Sequence, residues 1–452
     1  MNRLFGTDGI RGVANQFPLD AETALKSGRA VAAFFEDRKD ASGRFLIGRD
    51  PRISGDMLVA AMAAGICSMG KDAHLAGILP TPGVAYLTAA DGYDAGIVIS
   101  ASHNPFQDNG IKLFDPKGYK LSEASERSIE ALILGDDSLV DASKAVRKTG
   151  RVHWLDDAAL RYRRFLAACH TEDGAALKGM KLVVDCSNGA ASRIAPILFE
   201  ELGAAVTALA CTPDGTNINA NCGSQHPERL AAAVVAEHAH MGLAFDGDAD
   251  RLIAVDEKGA VLSGDQVMAI CAREMLARGR LANALVVSTV RSNMGFGAAL
   301  RDMDIGHIKA KVGDRHVMQA MRDNGAVLGG EDSGHMIFLD HHTTGDGMLA
   351  ALKLIQAVQA SGKPLSHLAG IMTVLPQCLI NVDVRSKPDL EKVPEIAAAI
   401  EEVENELDGR GRVLVRYSGT QPQCRVMVEG PSDAQTRSLC ERIAEVVSKK
   451  LG

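Results

Sequence analysis

The chain has 452 residues, more than one hydrophobic core usually holds, which predicts several domains of ~100 to 150 residues each. Hydrophobic residues make up 46% and charged residues 23% of the sequence, so a folded protein is expected and disorder is not. The formal net charge of -8 excludes a general nucleic-acid binder, which needs a cationic surface.

The cysteines and the N-terminus bear on the compartment. The nine cysteines are scattered, form no CxxC pair and are odd in number, which indicates neither a zinc site nor a disulfide framework. The first residues, MNRLFGTDGIRG, lack the apolar core of a signal peptide, and no run reaches the ~18 apolar residues of a membrane span. We therefore expect a cytoplasmic protein without a membrane partner.

Three stretches share one pattern, an apolar strand, a turn, a helix and a second strand. They cover residues 45–77, 181–209 and 285–311. Each predicts a helix that crosses over a mostly parallel sheet, although chance similarity between ordinary α/β units is an alternative to a true repeat. After Gly370 the order becomes strand, helix, strand, strand, helix, which predicts an α+β domain. We place the domains at residues 1–150, 151–255, 256–370 and 371–452.

The segment AGIVISASHNP begins as a buried strand and ends in a polar turn that carries Ser102 and His103. Open α/β sheets bind their ligands at the C-terminal ends of the strands. Asn104 and Pro105 favour a sharp turn, which we expect to hold the Ser102 hydroxyl exposed and able to accept a phosphate. A polar turn with no catalytic role is the alternative.

The segment GLAFDGDADRLIAVDEKG places an acidic loop between two strands, and DEKG predicts a hairpin turn after the second. Asp246, Asp248 and Asp250 are expected to alternate along one side of an extended loop. Three such carboxylates repel each other by a few kcal/mol unless a cation lies among them, which predicts a hard-metal site with Mg²⁺ as the natural ion. A solvated acidic turn or a calcium loop is the alternative, but an EF-hand would need a later glutamate and flanking helices.

Two further loops carry polar groups suited to a sugar phosphate. In VLGGEDSGHMIF, a glycine-lined loop presents Glu331, Ser333 and His335, which could bind sugar hydroxyls. In VRYSGTQPQCRVMVEG, guanidinium, hydroxyl and backbone N–H donors could surround a phosphate dianion. These donors belong to Arg416, Ser418, Gly419, Thr420 and Arg425. Either loop alone is also compatible with an ordinary turn.

The first loops of the chain contain arginines between glycines. GTDGIRG carries Arg11, and GRDPRISG carries Arg49 and Arg52. Structural ion pairs account for such arginines as well as phosphate binding does.

Taken together, FGTDGIRG, ISASHNP with DNGIK, DGDADR, GGEDSGH and RYSGT resemble the motifs of the α-D-phosphohexomutase superfamily in order and spacing, over nearly the whole chain. The resemblance implies three similar mixed-sheet α/β domains around a central cleft, a C-terminal α+β domain and a homodimer. It implies the conversion of glucosamine 6-phosphate to glucosamine 1-phosphate through a phosphoserine and a sugar 1,6-bisphosphate, feeding UDP-N-acetylglucosamine synthesis. Phosphomannomutase or phosphoglucomutase specificity and a non-catalytic sugar-phosphate sensor are the alternatives.

The resemblance also implies roles for single residues. Ser102 would be the phosphoserine, and its phosphoryl oxygen would share one Mg²⁺ with the three aspartates, supported by the charge of Arg251. His103, Lys112 and Arg11 are the candidates for proton transfer near the serine. Glu331, Ser333 and His335 would bind the sugar, and the RYSGT loop with Arg425 would hold the phosphate that does not react. Departures from the family pattern are Pro51, Arg291, Asp332 and Gln421.

Overall fold

The computed structural model describes residues 4–6, 8–36, 38, 40–135, 149–171, 176–418 and 422–452. The chain divides into two units, the first comprising residues 1–291 and 304–371 and the second residues 292–303 and 372–452. In the described ranges, no helix combines the length and the apolar character that crossing a bilayer requires.

The first sheet of the first unit has seven described strands in the order β1-β2-β6-β5-β3-β4-β7. They are β1 (Phe5–Gly6), β2 (Gly9–Val13), β3 (Arg44–Arg49), β4 (Asp72–Ile78), β5 (Ala95–Ile99), β6 (Asp108–Phe114) and β7 (Val152–Trp154). The accompanying helices are α1 (Ala21–Phe34), α2 (Gly55–Ser68), α3 (Thr81–Ala90), α4 (Glu123–Leu134) and α5 (Ala158–Thr171). Helices α2 and α3 contact the central strands β3 and β5, and every residue of β5 is buried, as expected for a covered parallel strand.

The second sheet has the order β12-β11-β10-β8-β9. Its elements are β8 (Lys181–Asp185), α6 (Ala195–Glu201), β9 (Ala205–Leu209), α7 (Glu228–Ala236), β10 (Met241–Phe245), β11 (Leu252–Asp256) and β12 (Val261–Leu262). The predicted hairpin is confirmed, because β11 and β12 pair antiparallel and the Gly259 N–H donates to the Asp256 carbonyl at 2.9 Å. Gly259 has a φ of +85°, which suits glycine at this turn.

The third sheet has the order β14-β13-β15-β16. Its elements are α8 (Gly264–Ala277), β13 (Leu285–Thr289), β14 (Gly306–Ala310), α10 (Asp314–Asn324), β15 (Leu328–Gly330), β16 (Met336–Phe338), α11 (Gly347–Ser361) and α12 (Leu365–Ala369). Helix α9 (Met294–Asp302) lies between β13 and β14 in the chain. The predicted strand–helix–strand units are confirmed in all three sheets, because β3 with β4, β8 with β9, and β13 with β14 are parallel neighbours. Antiparallel strands β6, β11 and β16 make each sheet mixed.

The second unit contains the predicted strand–helix–strand–strand–helix order. Its sheet is antiparallel with the order β17-β19-β18. The elements are β17 (Gln377–Asp383), α13 (Pro394–Leu407), β18 (Arg412–Tyr417), β19 (Gln423–Glu429) and α14 (Asp433–Leu451). Helix α9 also belongs to this unit, since the Met294 N–H donates to Glu429 Oε1 at 2.6 Å and Asn293 Nδ2 to the Leu375 carbonyl at 2.9 Å.

Candidate active site

Ser102 follows β5 in the turn that leads to β6, at the strand end where the sequence places it. Its backbone φ is +54°, a left-handed conformation that is uncommon outside glycine. The Ser102 Oγ donates to Asp246 Oδ2 at 2.5 Å and lies 3.4 Å from His103 Nδ1. The expectation of an exposed hydroxyl is wrong, since Ser102 is 1% exposed and its side chain faces the aspartate loop.

The three predicted aspartates lie between β10 and β11 and converge on one point. Oxygen atoms of Asp246, Asp248 and Asp250 all lie within 4.8 Å of one another, and all three residues are buried. The loop is a turn and not the extended segment expected from the sequence, because the Ala249 N–H donates to the Asp246 carbonyl at 3.1 Å and Ala249 has a φ of +57°. The turn still brings the carboxylates together.

Lys112 and Thr81 satisfy part of this acidic cluster. Lys112 Nζ lies 2.7 Å from Asp248 Oδ2 and 3.4 Å from Asp250 Oδ2, and Thr81 Oγ1 donates to Asp248 Oδ2 at 2.5 Å. Among the described residues, Asp248 Oδ1 and Asp250 Oδ1 have no hydrogen-bond partner. Buried carboxylate oxygens without partners are costly, and hard cations prefer such oxygens as ligands. The aspartate cluster therefore fits a divalent metal ion.

The charges in the cluster shift its protonation equilibria in opposite directions. Burial, followed by the negative charges of Asp250 and Asp248, raises the pKa of Asp246 well above its usual range. For Asp250, burial acts in the same direction, but the charges of Lys112, His335 and Arg251 outweigh it and leave the pKa well below the usual range. Burial opposes the charged form of Lys112, yet the surrounding carboxylates raise its pKa well above normal.

A second set of charges connects the cluster to the first loop of the chain. Arg11 forms an ion pair with Asp8, and its Nη1 donates to the Ala101 carbonyl at 3.3 Å. Asp8 also accepts ion pairs from Lys112 at 3.2 Å and from Lys120 at 2.5 Å. Sequence reasoning singled out Arg11 and Lys112 but missed Asp8, although it lies inside the GTDGIRG motif.

His103 lies beside Ser102, and Arg251 lies beside the aspartates. Arg251 Nε lies 3.7 Å from Asp250 Oδ1 and 4.0 Å from Asp246 Oδ2. Burial and the positive charges of Arg251 and Arg11 lower the pKa of His103 to about 4. His103 is thus adjacent to the serine, and Arg251 is adjacent to the acidic cluster.

The GGEDSGH loop joins β15 to β16 and packs against the aspartate loop. Glu331 Oε1 accepts a hydrogen bond from the Gly313 N–H at 2.9 Å. The backbones of His335 and Arg251 form an isolated antiparallel β-bridge. His335 Nδ1 lies 3.7 Å from Asp250 and its Nε2 3.7 Å from Asp314, so this histidine contacts the acidic cluster. Ser333 Oγ is buried and has no hydrogen-bond partner within the described ranges, which leaves it available to a ligand.

Two of the departures from the family pattern contact each other. Arg291 Nη2 lies 3.6 Å from Asp332 Oδ2, so the added positive charge is balanced by an added negative charge beside Glu331. Gln421 lies outside the described residues. Pro51 is buried in the loop between β3 and α2.

The predicted phosphate loop belongs to the second unit. Arg416 on β18 and Arg425 on β19 are directly opposite each other, an arrangement of like charges that costs stability unless an anion offsets it. Arg425 Nε is buried without a hydrogen-bond partner among the described residues, and the Ser418 N–H donates to the Gln423 carbonyl at 2.8 Å. Gly419 and Thr420, which were also predicted here, lie outside the described residues.

Comparison with known proteins identifies the family. Four domain descriptions of phosphoglucomutase/phosphomannomutase match: alpha/beta/alpha domain I at residues 2–139, domain II at 161–259, domain III at 263–375 and the C-terminal domain at 379–446. A phosphoglucomutase/phosphomannomutase family protein from Burkholderia thailandensis superposes with a TM-score of 0.80 at 26% identity, covering 99% of this chain and 97% of that one. The chain belongs to the phosphoglucomutase/phosphomannomutase family and is a phosphohexomutase, an isomerase that relocates a phosphoryl group.

Within that family, the chain is similar to phosphoglucosamine mutases. The protein of that name from Syntrophus aciditrophicus is 55% identical over 452 residues, and the one from Syntrophobacter fumaroxidans is 53% identical, each covering 100% of both chains. The Aspergillus fumigatus N-acetylphosphoglucosamine mutase, determined with GlcNAc-6P and magnesium, shares the fold with a TM-score of 0.68 at 18% identity, covering 99% of this chain and 95% of that one.

Proposed function

We propose that this isomerase is a phosphoglucosamine mutase that interconverts glucosamine 6-phosphate and glucosamine 1-phosphate through a phosphate carried on Ser102. The observation that carries the proposal is the 2.5 Å contact between Ser102 Oγ and Asp246 inside the buried aspartate cluster. The full-length similarity to phosphoglucosamine mutases supports the sugar assignment. Phosphoglucomutases and phosphomannomutases are the alternative within the family.

The reaction consists of two phosphoryl transfers in opposite directions. In the first, the sugar 1-hydroxyl attacks the phosphorus on Ser102 and passes its proton to a general base, while the Ser102 Oγ–P bond breaks and Oγ takes up a proton from a general acid. The product is glucosamine 1,6-bisphosphate and an unphosphorylated serine. After the bisphosphate has turned around, Ser102 Oγ loses its proton to a general base and attacks the phosphorus of the 6-phosphate. The O6–P bond breaks, O6 takes up a proton, and glucosamine 1-phosphate leaves. No nucleotide is consumed.

The aspartate cluster supplies the metal site for both transfers. Asp246, Asp248 and Asp250 would hold one Mg²⁺ together with an oxygen of the Ser102 phosphate. The ion, when bound, acts as a Lewis acid on the phosphoryl oxygens. The unpartnered oxygens of Asp248 and Asp250 support this role, and Arg251 would add its charge to the same phosphate.

Proton transfer requires a group close to Ser102. His103, Lys112 and Arg11 are the candidates, and all three lie in or beside the cluster: His103 Nδ1 is 3.4 Å from Ser102 Oγ, Lys112 contacts Asp248, and Arg11 contacts the Ala101 carbonyl. A general base must lie within hydrogen-bond reach of the proton it accepts, directly or through one water. Alanine variants of each, compared by kcat at saturating substrate, would assign the role.

Recognition of a bisphosphate requires one reactive and one non-reactive phosphate position. We assign the sugar hydroxyls to Glu331, Ser333 and His335. We assign the non-reacting phosphate to Arg416, Ser418, Gly419, Thr420 and Arg425. The two arginines occupy paired positions on β18 and β19, and their guanidinium groups suit a dianion. The proposal includes domain limits at 1–150, 151–255, 256–370 and 371–452, a cytoplasmic homodimer, and delivery of glucosamine 1-phosphate to UDP-N-acetylglucosamine synthesis.

The test joins mass spectrometry to an assay. Intact mass and peptide mapping should find about 80 Da of phosphate on Ser102, and Ser102→Ala should abolish mutase activity while Ser128→Ala, an exposed serine on α4, keeps it. Full activity in Ser102→Ala would contradict the mechanism. Comparing kcat/KM for glucosamine, mannose and glucose 6-phosphates decides the sugar, and absence of turnover with all three would indicate a sugar-phosphate sensor.

A further inference from the structure

Two side chains, from loops that follow strands of different sheets, bind the carbonyl oxygen of Ser102. Arg52 Nη2, from the loop after β3, donates to it at 2.9 Å, and Asn219 Nδ2, from the loop after β9, donates to it at 2.9 Å. The same two nitrogen atoms also donate to the Asn104 carbonyl, at 2.8 and 3.0 Å. Four hydrogen bonds therefore converge on two carbonyl groups of the Ser102 turn.

The amide nitrogen of Ser102 is held through the same buried arginine. Arg52 is fully buried, and its Nε donates to Asp50 Oδ2 at 2.9 Å. That carboxylate oxygen accepts a second hydrogen bond from Ser100 Oγ at 2.6 Å, and Ser100 Oγ in turn accepts one from the Ser102 N–H at 3.0 Å. The N–H and the C=O of Ser102 are thus fixed by one connected network.

This network stabilises a conformation that a serine does not adopt readily. A left-handed backbone costs a non-glycine residue roughly 1–2 kcal/mol and persists where the surroundings determine it. At a φ of +54°, Ser102 directs its Oγ at Asp246. The carbonyl of Ser102 also packs against the aspartate loop, because a Cβ on Gly247 would lie 2.5 Å from it.

We propose that Asn219, acting with the buried Arg52, is a positioning residue for phosphoryl transfer, which aims the Ser102 side chain at the metal-binding aspartates. It does not touch the reacting atoms. It fixes the carbonyl of the residue that does, and it does so from the sheet that also carries the aspartates. This inference rests on the proposed role of Ser102 as the phosphate carrier.

The chain offers a matched control for Asn219. Asn219 and Asn221 lie in the same loop with φ values of +58° and +53°, but the Asn221 side chain is exposed. Asn219→Asp removes the amide donor but keeps the shape of the side chain, and aspartate tolerates a left-handed backbone. Asn219→Gly removes the whole side chain without backbone strain. Asn221→Asp introduces the same charge two residues away.

The experiment compares these full-length variants in two assays, steady-state turnover of glucosamine 6-phosphate and the rate at which dephosphorylated enzyme takes phosphate from glucose 1,6-bisphosphate. We expect both Asn219 variants to lower kcat and the phosphorylation rate about 10- to 100-fold with KM little changed, since misplacement of a reacting group acts on the transfer step. Asn221→Asp should match the parent, and all variants should keep the parent melting temperature within a few degrees.

Three outcomes would overturn the inference. They are parental rates in both Asn219 variants, loss in Asn219→Asp alone, which would indicate a charge effect, and loss that parallels a large fall in melting temperature, which would indicate a structural role. Ser102→Ala separates this inference from the proposed function. If Ser102→Ala is inactive while the Asn219 variants are fully active, only the positioning role fails; if Ser102→Ala is active, the phosphoserine mechanism itself fails.

Discussion

The Ser102 turn and the Arg416–Arg425 pair are both assigned to phosphate, yet they are built differently. At the Ser102 turn, buried side chains bind the N–H, the carbonyl and the hydroxyl of one residue. At the arginine pair, two guanidinium groups on half-buried strand positions oppose each other across β18 and β19. A reacting phosphate needs a fixed direction, whereas a phosphate that is only held needs charge.

The aspartate cluster gives the sharpest test of the reacting-phosphate site proposed at the Ser102 turn. Asp246→Asn should lower kcat by about a thousandfold or more, because a ligand of the metal and the partner of Ser102 are altered together. In metal-free protein the same change should raise the melting temperature, since it removes one of three mutually repelling buried carboxylates. Mg²⁺ should stabilise the parent more than the variant.

Melting curves without Mg²⁺ and with about 10 mM Mg²⁺ would check this prediction alongside the assay. Asp256→Asn, at the last residue of β11, is a control of the same chemistry outside the cluster. Equal stabilisation of parent and variant by Mg²⁺ would place the metal elsewhere.

At the Arg416–Arg425 pair, removing charge should affect substrate affinity more than the rate of phosphoryl transfer. Arg425→Met should raise KM about 10- to 100-fold with a smaller change in kcat, since a charged hydrogen bond contributes roughly 1.5–3 kcal/mol. Arg437→Met on α14, an exposed arginine of the same unit, should leave KM unchanged. A loss confined to kcat in Arg425→Met would make the two phosphate positions alike.

Acid should lower the folding stability of the protein through a buried histidine near the aspartate cluster. His342 Nε2 donates to the Pro82 carbonyl at 3.0 Å, next to Thr81, which binds Asp248. Burial lowers the pKa of His342 to about 4, so between the unfolded value of about 6.5 and pH 4 the unfolded chain binds more protons and stability falls as pH falls. The loss at pH 5 should be about 2 kcal/mol.

Denaturant unfolding at pH 5 and pH 7 measures this loss, and His342→Gln should remove most of the difference between the two. His316→Gln, on α10, should not. An unchanged pH dependence in His342→Gln would show that other groups cause the acid sensitivity.

The smallest effect is expected at the Arg291–Asp332 pair. The two side chains are 39% and 29% exposed, and such pairs contribute at most about 1 kcal/mol. Arg291→Met and Asp332→Gln should each change kcat/KM only a fewfold, and the double variant should recover most of the loss. A double-mutant cycle on kcat/KM checks this coupling, and strictly additive effects would show that the pair does not brace the Glu331 loop.

The sequence predicted the three strand–helix–strand units and the C-terminal α+β order because local hydrophobic periodicity determines them. It also predicted the aspartate cluster, since three acids at alternate positions repel each other unless a cation lies among them. It missed Thr81 and Asn219, because their partners are distant along the chain, and it missed Asp8 although Arg11, one of its partners, lies in the same short motif. Thr81 lies 167 residues from Asp248, and Asn219 lies 117 residues from Ser102. No local pattern encodes such contacts. For the same reason, the sequence predicted an exposed Ser102 where the structure has a buried one.

The contact between Ser102 and Asp246 joins residues that are 144 positions apart and belong to different sheets. On the proposed mechanism, neither sheet alone contains the complete phosphoryl-transfer site, so a chain in which only one sheet has folded could not phosphorylate Ser102. Phosphate found on Ser102 would therefore mark molecules in which both sheets have folded, and the phosphorylated fraction of a preparation would set a lower limit on the native fraction.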